Sequence, residues 1–114
     1  MITIHRMKLY PKPFNLIKSG SKTIEMRLND EKRSIIIIGD KIEFTNTETN
    51  EIILCDVINL YKYKNFEELY KHHSKESIGY LPSEDANPSD MLSIYSNEKI
   101  NKYGVLGIEL SILK

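Results

Sequence analysis

Gly20-Ser21-Lys22-Thr23-Ile24-Glu25-Met26-Arg27-Leu28 is the stretch on which the reading of this chain turns. The glycine stops a helix, and the residues after it alternate polar with apolar side chains. If residues 23 to 28 are extended, Ile24, Met26 and Leu28 point into a core while Thr23, Glu25 and Arg27 point away from it. Lys22 stands at the mouth of that strand. A lysine, a carboxylate and a guanidinium this close together form a candidate site for a phosphate, a nucleobase edge or an amide. The same spacing also fits a solvated Glu25–Arg27 ion pair on an outward face, worth only about 0–1 kcal/mol.

Toward the N-terminus, Ile2 to Leu9 alternates apolar and basic residues and predicts a strand with an irregularity near Arg6. Pro11 and Pro13 open a short helix with Phe14, Leu16 and Ile17 as its buried stripe, and Gly20 is placed for a left-handed C-cap. Toward the C-terminus, residues 29 to 34 form a charged turn. Ile35 to Ile38 is either a short strand buried on both faces or the approach to a Gly39-Asp40 turn, after which residues 41 to 44 alternate as a strand. A polar hairpin loop spans 45 to 50. Residues 51 to 63 are apolar on both faces, which predicts a central strand that closes a barrel.

Asn65 is a good N-cap for a helix starting at Phe66. Residues 77 to 90 are irregular and acidic, a segment that could cover a site as a lid. Asp90 to Asn101 reads as a last helix with Met91, Ile94 and Tyr95 on its apolar stripe, and residues 105 to 113 as the final strand. Strands interrupted by two or three helices, without a βα repeat, give an α+β class with a small mixed or antiparallel barrel-like sheet, and argue against parallel winding.

With 114 residues the chain reads as one domain, 1–114, able to bury about two thirds of its unfolded surface. Its 16 basic and 16 acidic residues cancel, which excludes a global field for polyanions, so any nucleic-acid contact is local. The first third is nevertheless locally basic, through Lys8, Lys12, Lys18, Lys22, Arg27, Lys32 and Arg33. A lone Cys55, no signal-like N-terminus and no long apolar run predict a cytoplasmic protein without a disulfide or a membrane span. Heavy use of Ile, Lys and Asn suggests an AT-rich bacterial genome.

His72 and His73 are adjacent and diverge by about 100° on a helix, so they do not chelate one metal as an i, i+4 pair does. With His5 and Cys55 far away in sequence, no zinc spacing exists, and neither a metal nor a cofactor is expected. Cys55 reads as a core residue. Most of the seven tyrosines read as packing, with Tyr10 and Tyr80 the freest to stack on a base. Lys22 could hold a phosphate as a point charge; to act as a base from an ordinary pKa near ~10.4 it would need burial or a neighbouring cation such as Arg27.

Gly-x-Lys-x-x-Glu-x-Arg, matched at Gly20, Lys22, Glu25 and Arg27, resembles the signature of the ASCH domain (activating signal cointegrator homology), a small family of the PUA-like superfold. The order of elements along the whole chain is similar too. The resemblance implies an RNA- or nucleotide-binding domain with a ligand cleft lined by Gly20, Lys22, Thr23, Glu25 and Arg27. Some bacterial members are amidohydrolases that remove acetyl from 4-acetylcytidine with a lysine, a threonine nucleophile and a glutamate. The alternative implied is therefore a small hydrolase acting on a modified nucleoside, with Lys22, Glu25 and Glu76 as catalytic groups. The nucleophile position holds Glu25 in place of threonine, and Thr23 is out of register, so Glu25 would have to activate water directly. A third reading, an interaction domain presenting the isoleucine run at a sheet edge, stays open beside these.

Overall fold

Two local signals set the position of the motif. Helix α1 (Pro11–Ser19) begins on prolines that have no N–H to leave unpaired, and it ends where Gly20 takes φ 89° and donates its N–H to the Ile17 carbonyl at 3.0 Å. The Lys22 N–H then returns to the Leu16 carbonyl at 3.0 Å. Lys22 is thereby fixed to the end of α1 before strand β2 (Ile24–Leu28) begins.

The computed structural model describes residues 2–113. Strand β1 (Ile4–Leu9) precedes α1; β3 (Lys41–Asn46), β4 (Ile52–Tyr63) and β5 (Val105–Ile112) complete a five-stranded sheet of order β1-β3-β4-β5-β2. Helices α2 (Phe66–His72) and α3 (Asn97–Tyr103) and a 3-10 turn (Pro88–Ser93) fill the β4–β5 connection. The sheet is mixed and curls into a half-barrel, the α+β class expected. β4 is its central strand, with Ile53, Cys55 and Val57 buried on one face and Ile52 and Ile58 exposed, so its apolar run is not covered on both faces.

Several local expectations give way. β1 pairs β3 in parallel, from Ile4↔Lys41 to Leu9↔Asn46 without interruption, so there is no irregularity at Arg6, and this one parallel pair makes the sheet the mixed one of the two kinds expected. The irregularity lies in β4, where the register with β5 shifts between Val57 and Asn59. No ladder joins β1 to β2, so the barrel stays open at that seam. Of the two readings open for Ile35–Ile38, the structure has the approach to the Gly39-Asp40 turn and not a strand, with Ile36 buried and the other three exposed. The expected helix over 90–101 is two pieces, because Ser96 takes an extended conformation and caps α3 by accepting from the Lys99 N–H at 3.2 Å.

The apolar side chains divide into two clusters. One packs Phe14 and Ile17 of α1 against Met7, Leu9, Ile42 and Phe44 inside the half-barrel, with Cys55 fully buried among them. The other packs Ile24, Met26 and Leu28 of β2 against Phe66, Leu69 and Ile100 of the helices. Burial pushes the Cys55 thiol up to about 11, with Asp56 adding to the shift, so this cysteine is a packing residue.

Candidate ligand-binding cleft

The alternate face of β2 does not reach solvent. Glu25 is 4% exposed and Lys22 7%. Lys22 Nζ lies 2.8 Å from Glu25 Oε1, and Arg27 Nε donates to Glu25 Oε2 at 2.7 Å. One buried carboxylate is thus held between two cations, and the solvated ion pair is excluded. Burial by itself would raise the Glu25 pKa, but the charges and hydrogen bonds of Lys22 and Arg27 hold it below the usual carboxylate range. A carboxylate so stabilised is a poor proton acceptor and a fixed hydrogen-bond acceptor.

Arg27 also spans the open seam, its Nη2 donating to the Lys8 carbonyl at 3.1 Å. The triad therefore lies at the gap between the unpaired edges of β1 and β2, in a cleft of about 360 Å³. Four tyrosines line it: Tyr10 after β1, Tyr70 from α2, Tyr80 after the 75–79 turn and Tyr95 beyond the 3-10 turn. Ile78 and Met91 add apolar wall. Gly79 takes φ 113°, and a Cβ there would stand 3.1 Å from Lys22 Cδ, so the lysine stem lies against glycine backbone.

The irregular segment is tied down. Tyr80 Oη donates to Asp90 at 2.7 Å and lies 2.9 Å from Tyr70 Oη; Lys75 donates to the Pro82 and Glu84 carbonyls at 2.9 and 2.6 Å. Glu84 pairs with Lys12 at 2.9 Å. Burial, with the neighbouring Tyr80 and Asp90, raises Tyr70 far above the ordinary phenol range, and burial raises Tyr95 as well. Both rings present neutral aromatic surface.

The pattern of the ASCH domain family matches residues 7–114. The chain is an ASCH domain. Members of this family are thought to bind RNA. Hypothetical protein PH0355 is 32% identical over 97% of this chain and 100% of its own, with a TM-score of 0.85. Protein PF0455 from Pyrococcus furiosus is 32% identical over 98% and 99%, with a TM-score of 0.72. The ASCH protein of Zymomonas mobilis shares the fold at 15% identity, over 96% of this chain and 67% of its own, with a TM-score of 0.58. No curated protein matches.

This ASCH domain carries a second hollow, of about 410 Å³, next to the cleft and sharing Lys8 and Arg27 with it. Five cations line it, Arg6, Lys8, Arg27, Lys32 and Arg33, with no carboxylate among the lining residues. Arg6 pairs with Glu43 at 3.0 Å and Arg33 with Asp30 at 3.2 Å. Lys8 and Lys32 have no ion-pair partner among the described residues. The buried Arg33 Nε likewise has no hydrogen-bond acceptor there.

Of the residues the motif singled out, Lys22, Glu25 and Arg27 meet in the cleft. Gly20 acts as the helix cap, and Thr23 fixes the strand start, its N–H donating to the Ser77 carbonyl at 3.0 Å; neither lines the cleft. Glu76 does not line it either, and its carbonyl accepts from Gly79 N–H at 3.1 Å within the turn. His73 Nε2 meets Tyr63 Oη at 2.9 Å, away from the cleft. Among the described residues no three His, Cys, Asp or Glu side chains cluster to hold a metal, and no helix is long and apolar enough to cross a membrane. Tyr70 and Tyr95 were not singled out as ligand contacts, and nothing in their spacing marks them, because separate elements bring them to the cleft.

Proposed function

We propose that this ASCH domain binds single-stranded RNA, taking one unpaired base into the tyrosine-lined cleft and laying the adjoining backbone along the basic hollow. The observation that carries the reading is the buried Lys22–Glu25–Arg27 triad at the floor of an aromatic cleft. Aromatic walls hold a base by stacking, and fixed polar groups read its edge. The four further cations of the neighbouring hollow, Arg6, Lys8, Lys32 and Arg33, suit phosphates and would let a chain of zero net charge engage a polyanion locally.

The hydrolase alternative built on Lys22, Glu25 and Glu76 has less support. Glu76 lies off the cleft lining, and the lowered pKa of Glu25 suits an acceptor better than a general base. Acetate released from 4-acetylcytidine by the purified chain would restore that alternative.

The test is fluorescence anisotropy with a labelled nine-nucleotide single-stranded RNA across a salt series. Lys22→Ala is expected to weaken binding at every salt concentration. Lys32→Ala is expected to lower the slope of log affinity against log salt by about 0.7, one phosphate contact on a single strand. Equal affinities and slopes for both variants and the parent would contradict the proposal.

A further inference from the structure

The two ends of the cleft carry opposite charge. β1 pairs β3 in parallel and every later step across the sheet is antiparallel, so β1 and β2 run in opposite directions along the open seam. Arg27 reaches the Lys8 carbonyl at 3.1 Å and marks one end of the cleft. Lys22, just ahead of β2, marks the other.

At the Arg27 end the cleft adjoins the basic hollow, which takes Arg6 and Lys8 from β1 and Lys32 and Arg33 from the turn after β2. No residue between 75 and 95 lines that hollow. Lys8 and Lys32 have no ion-pair partner among the described residues, so a phosphate on this side meets uncommitted cations.

At the Lys22 end the segment after α2 closes the seam. The Ser77 carbonyl accepts from the Thr23 and Ile24 N–H groups at 3.0 and 2.9 Å, which ties the segment to the start of β2. Glu84 pairs with Lys12 at 2.9 Å, which ties it to α1. Residues 76–90 hold Glu76, Glu84, Asp85 and Asp90 and no lysine or arginine, and Asp90 accepts at 2.7 Å from Tyr80, a wall of the cleft. The cations at this end are engaged: Lys12 by Glu84, Lys75 by the Pro82 and Glu84 carbonyls, Lys22 by Glu25. A phosphate here would face carboxylates with no uncommitted cation to offset them, and like charges set against each other reject a ligand.

A strand threaded through the cleft needs phosphates at both ends, and only one end accepts them. Resting on the RNA reading above, we infer that the cleft takes the terminal nucleotide of a single strand. The chain leaves over the basic hollow, and its last ribose, carrying a hydroxyl and no phosphate, faces the 76–90 segment. The ligand is an unphosphorylated strand end, and a strand without ends is a poor substitute for it.

The experiment is competition against the labelled nine-nucleotide RNA, read by fluorescence anisotropy at one salt concentration with the full chain. The competitors are single strands of one base composition: linear with hydroxyls at both ends, linear with a 5′-phosphate, linear with a 3′-phosphate, and circular. The hydroxyl-ended strand is expected to compete at least about tenfold better than the circle, which sets a phosphodiester against the carboxylates. One phosphorylated strand is expected to fall toward the circle while the other is not weakened, and the one that falls names the end that is bound. Asp90→Asn, which keeps an acceptor for Tyr80, is expected to narrow the gap between circle and hydroxyl-ended strand. Equal competition by those two, or no loss from a phosphate at either end, would overturn the inference and leave the RNA reading standing. A gap that Asp90→Asn leaves unchanged would place the discrimination elsewhere and overturn it as well. If the labelled RNA itself does not bind, the RNA reading fails and the inference with it.

Discussion

Glu25→Gln removes a charge from the centre of the triad and almost no volume. In the parent, each carboxylate oxygen holds one cation, at 2.8 Å from Lys22 and 2.7 Å from Arg27. The amide keeps one acceptor but turns an NH₂ toward the other cation, leaving two buried positive groups with no neutralising charge between them. Removing one partner of a buried ion pair costs about 3–5 kcal/mol, against a total stability of about 5–15 kcal/mol for a typical domain. At roughly 3–6 °C per kcal/mol for a chain of this length, the thermal midpoint is expected to fall by about 10–25 °C. Urea unfolding followed by circular dichroism at pH 7 measures the loss, read from a lower midpoint at unchanged m. The double variant Lys22→Met with Glu25→Gln is expected to lose less than the sum of the singles, because the two groups share one interaction. A Glu25→Gln chain within about 1 kcal/mol of the parent would refute the reasoning, since the triad would then be solvated and not preorganised.

Acid sensitivity follows from the same carboxylate and from Asp40. Burial would raise Asp40, but His5 at 2.8 Å and the Ile37 and Thr3 N–H groups lower it. Groups that titrate lower when folded contribute stability that is complete above their unfolded values, near pH ~4, and lost as pH falls through the folded ones; acid titration of Glu25→Gln is expected to show a flatter loss. Gly79→Ala forces a left-handed φ on a β-carbon and presses it against the Lys22 stem, so a loss of about 1–3 kcal/mol in urea unfolding and weaker RNA binding are expected. Gly20→Ala strains the helix cap but has nothing within 4 Å, and it is expected to lower stability without lowering RNA affinity at saturating folded protein. Tyr80→Phe removes the hydroxyl that joins Tyr70 to Asp90, and hydrogen exchange is expected to speed up over residues 80–90 while the strands keep their protection.

Much of the architecture was legible because it is written locally. Pro11, Gly20 and Asn65 mark helix ends through backbone chemistry, and the alternation of Lys41 to Phe44 specifies a strand whatever it pairs with. What the chain order does not carry is which faces become covered. The spacing of Glu25 and Arg27 is the same on a wet strand and a dry one; the 75–79 turn and the edge of β1 make the difference, and both are distant in sequence. Chain order does not mark the parallel β1–β3 pair, because β2 intervenes between its strands and joins the far edge of the sheet. Ser96 fits either a helix interior or a cap, and the periodicity of Met91, Ile94 and Tyr95 favoured the interior until the extended backbone at Ser96 divided it. The basic first third was visible as composition, but its separation into paired Lys12 and Lys18 and a shared hollow around Lys8 and Lys32 is a product of folding.

The most direct measurement is a ¹⁵N NMR titration of the labelled chain with the nine-nucleotide single-stranded RNA. Saturable amide shifts at Lys22, Glu25, Gly79 and Tyr80, extending to Lys8 and Lys32, are the expected result. Shifts confined to the Ile35–Ile38 segment, or none at the cleft when the RNA is in excess, would contradict the assignment of the cleft as the RNA site.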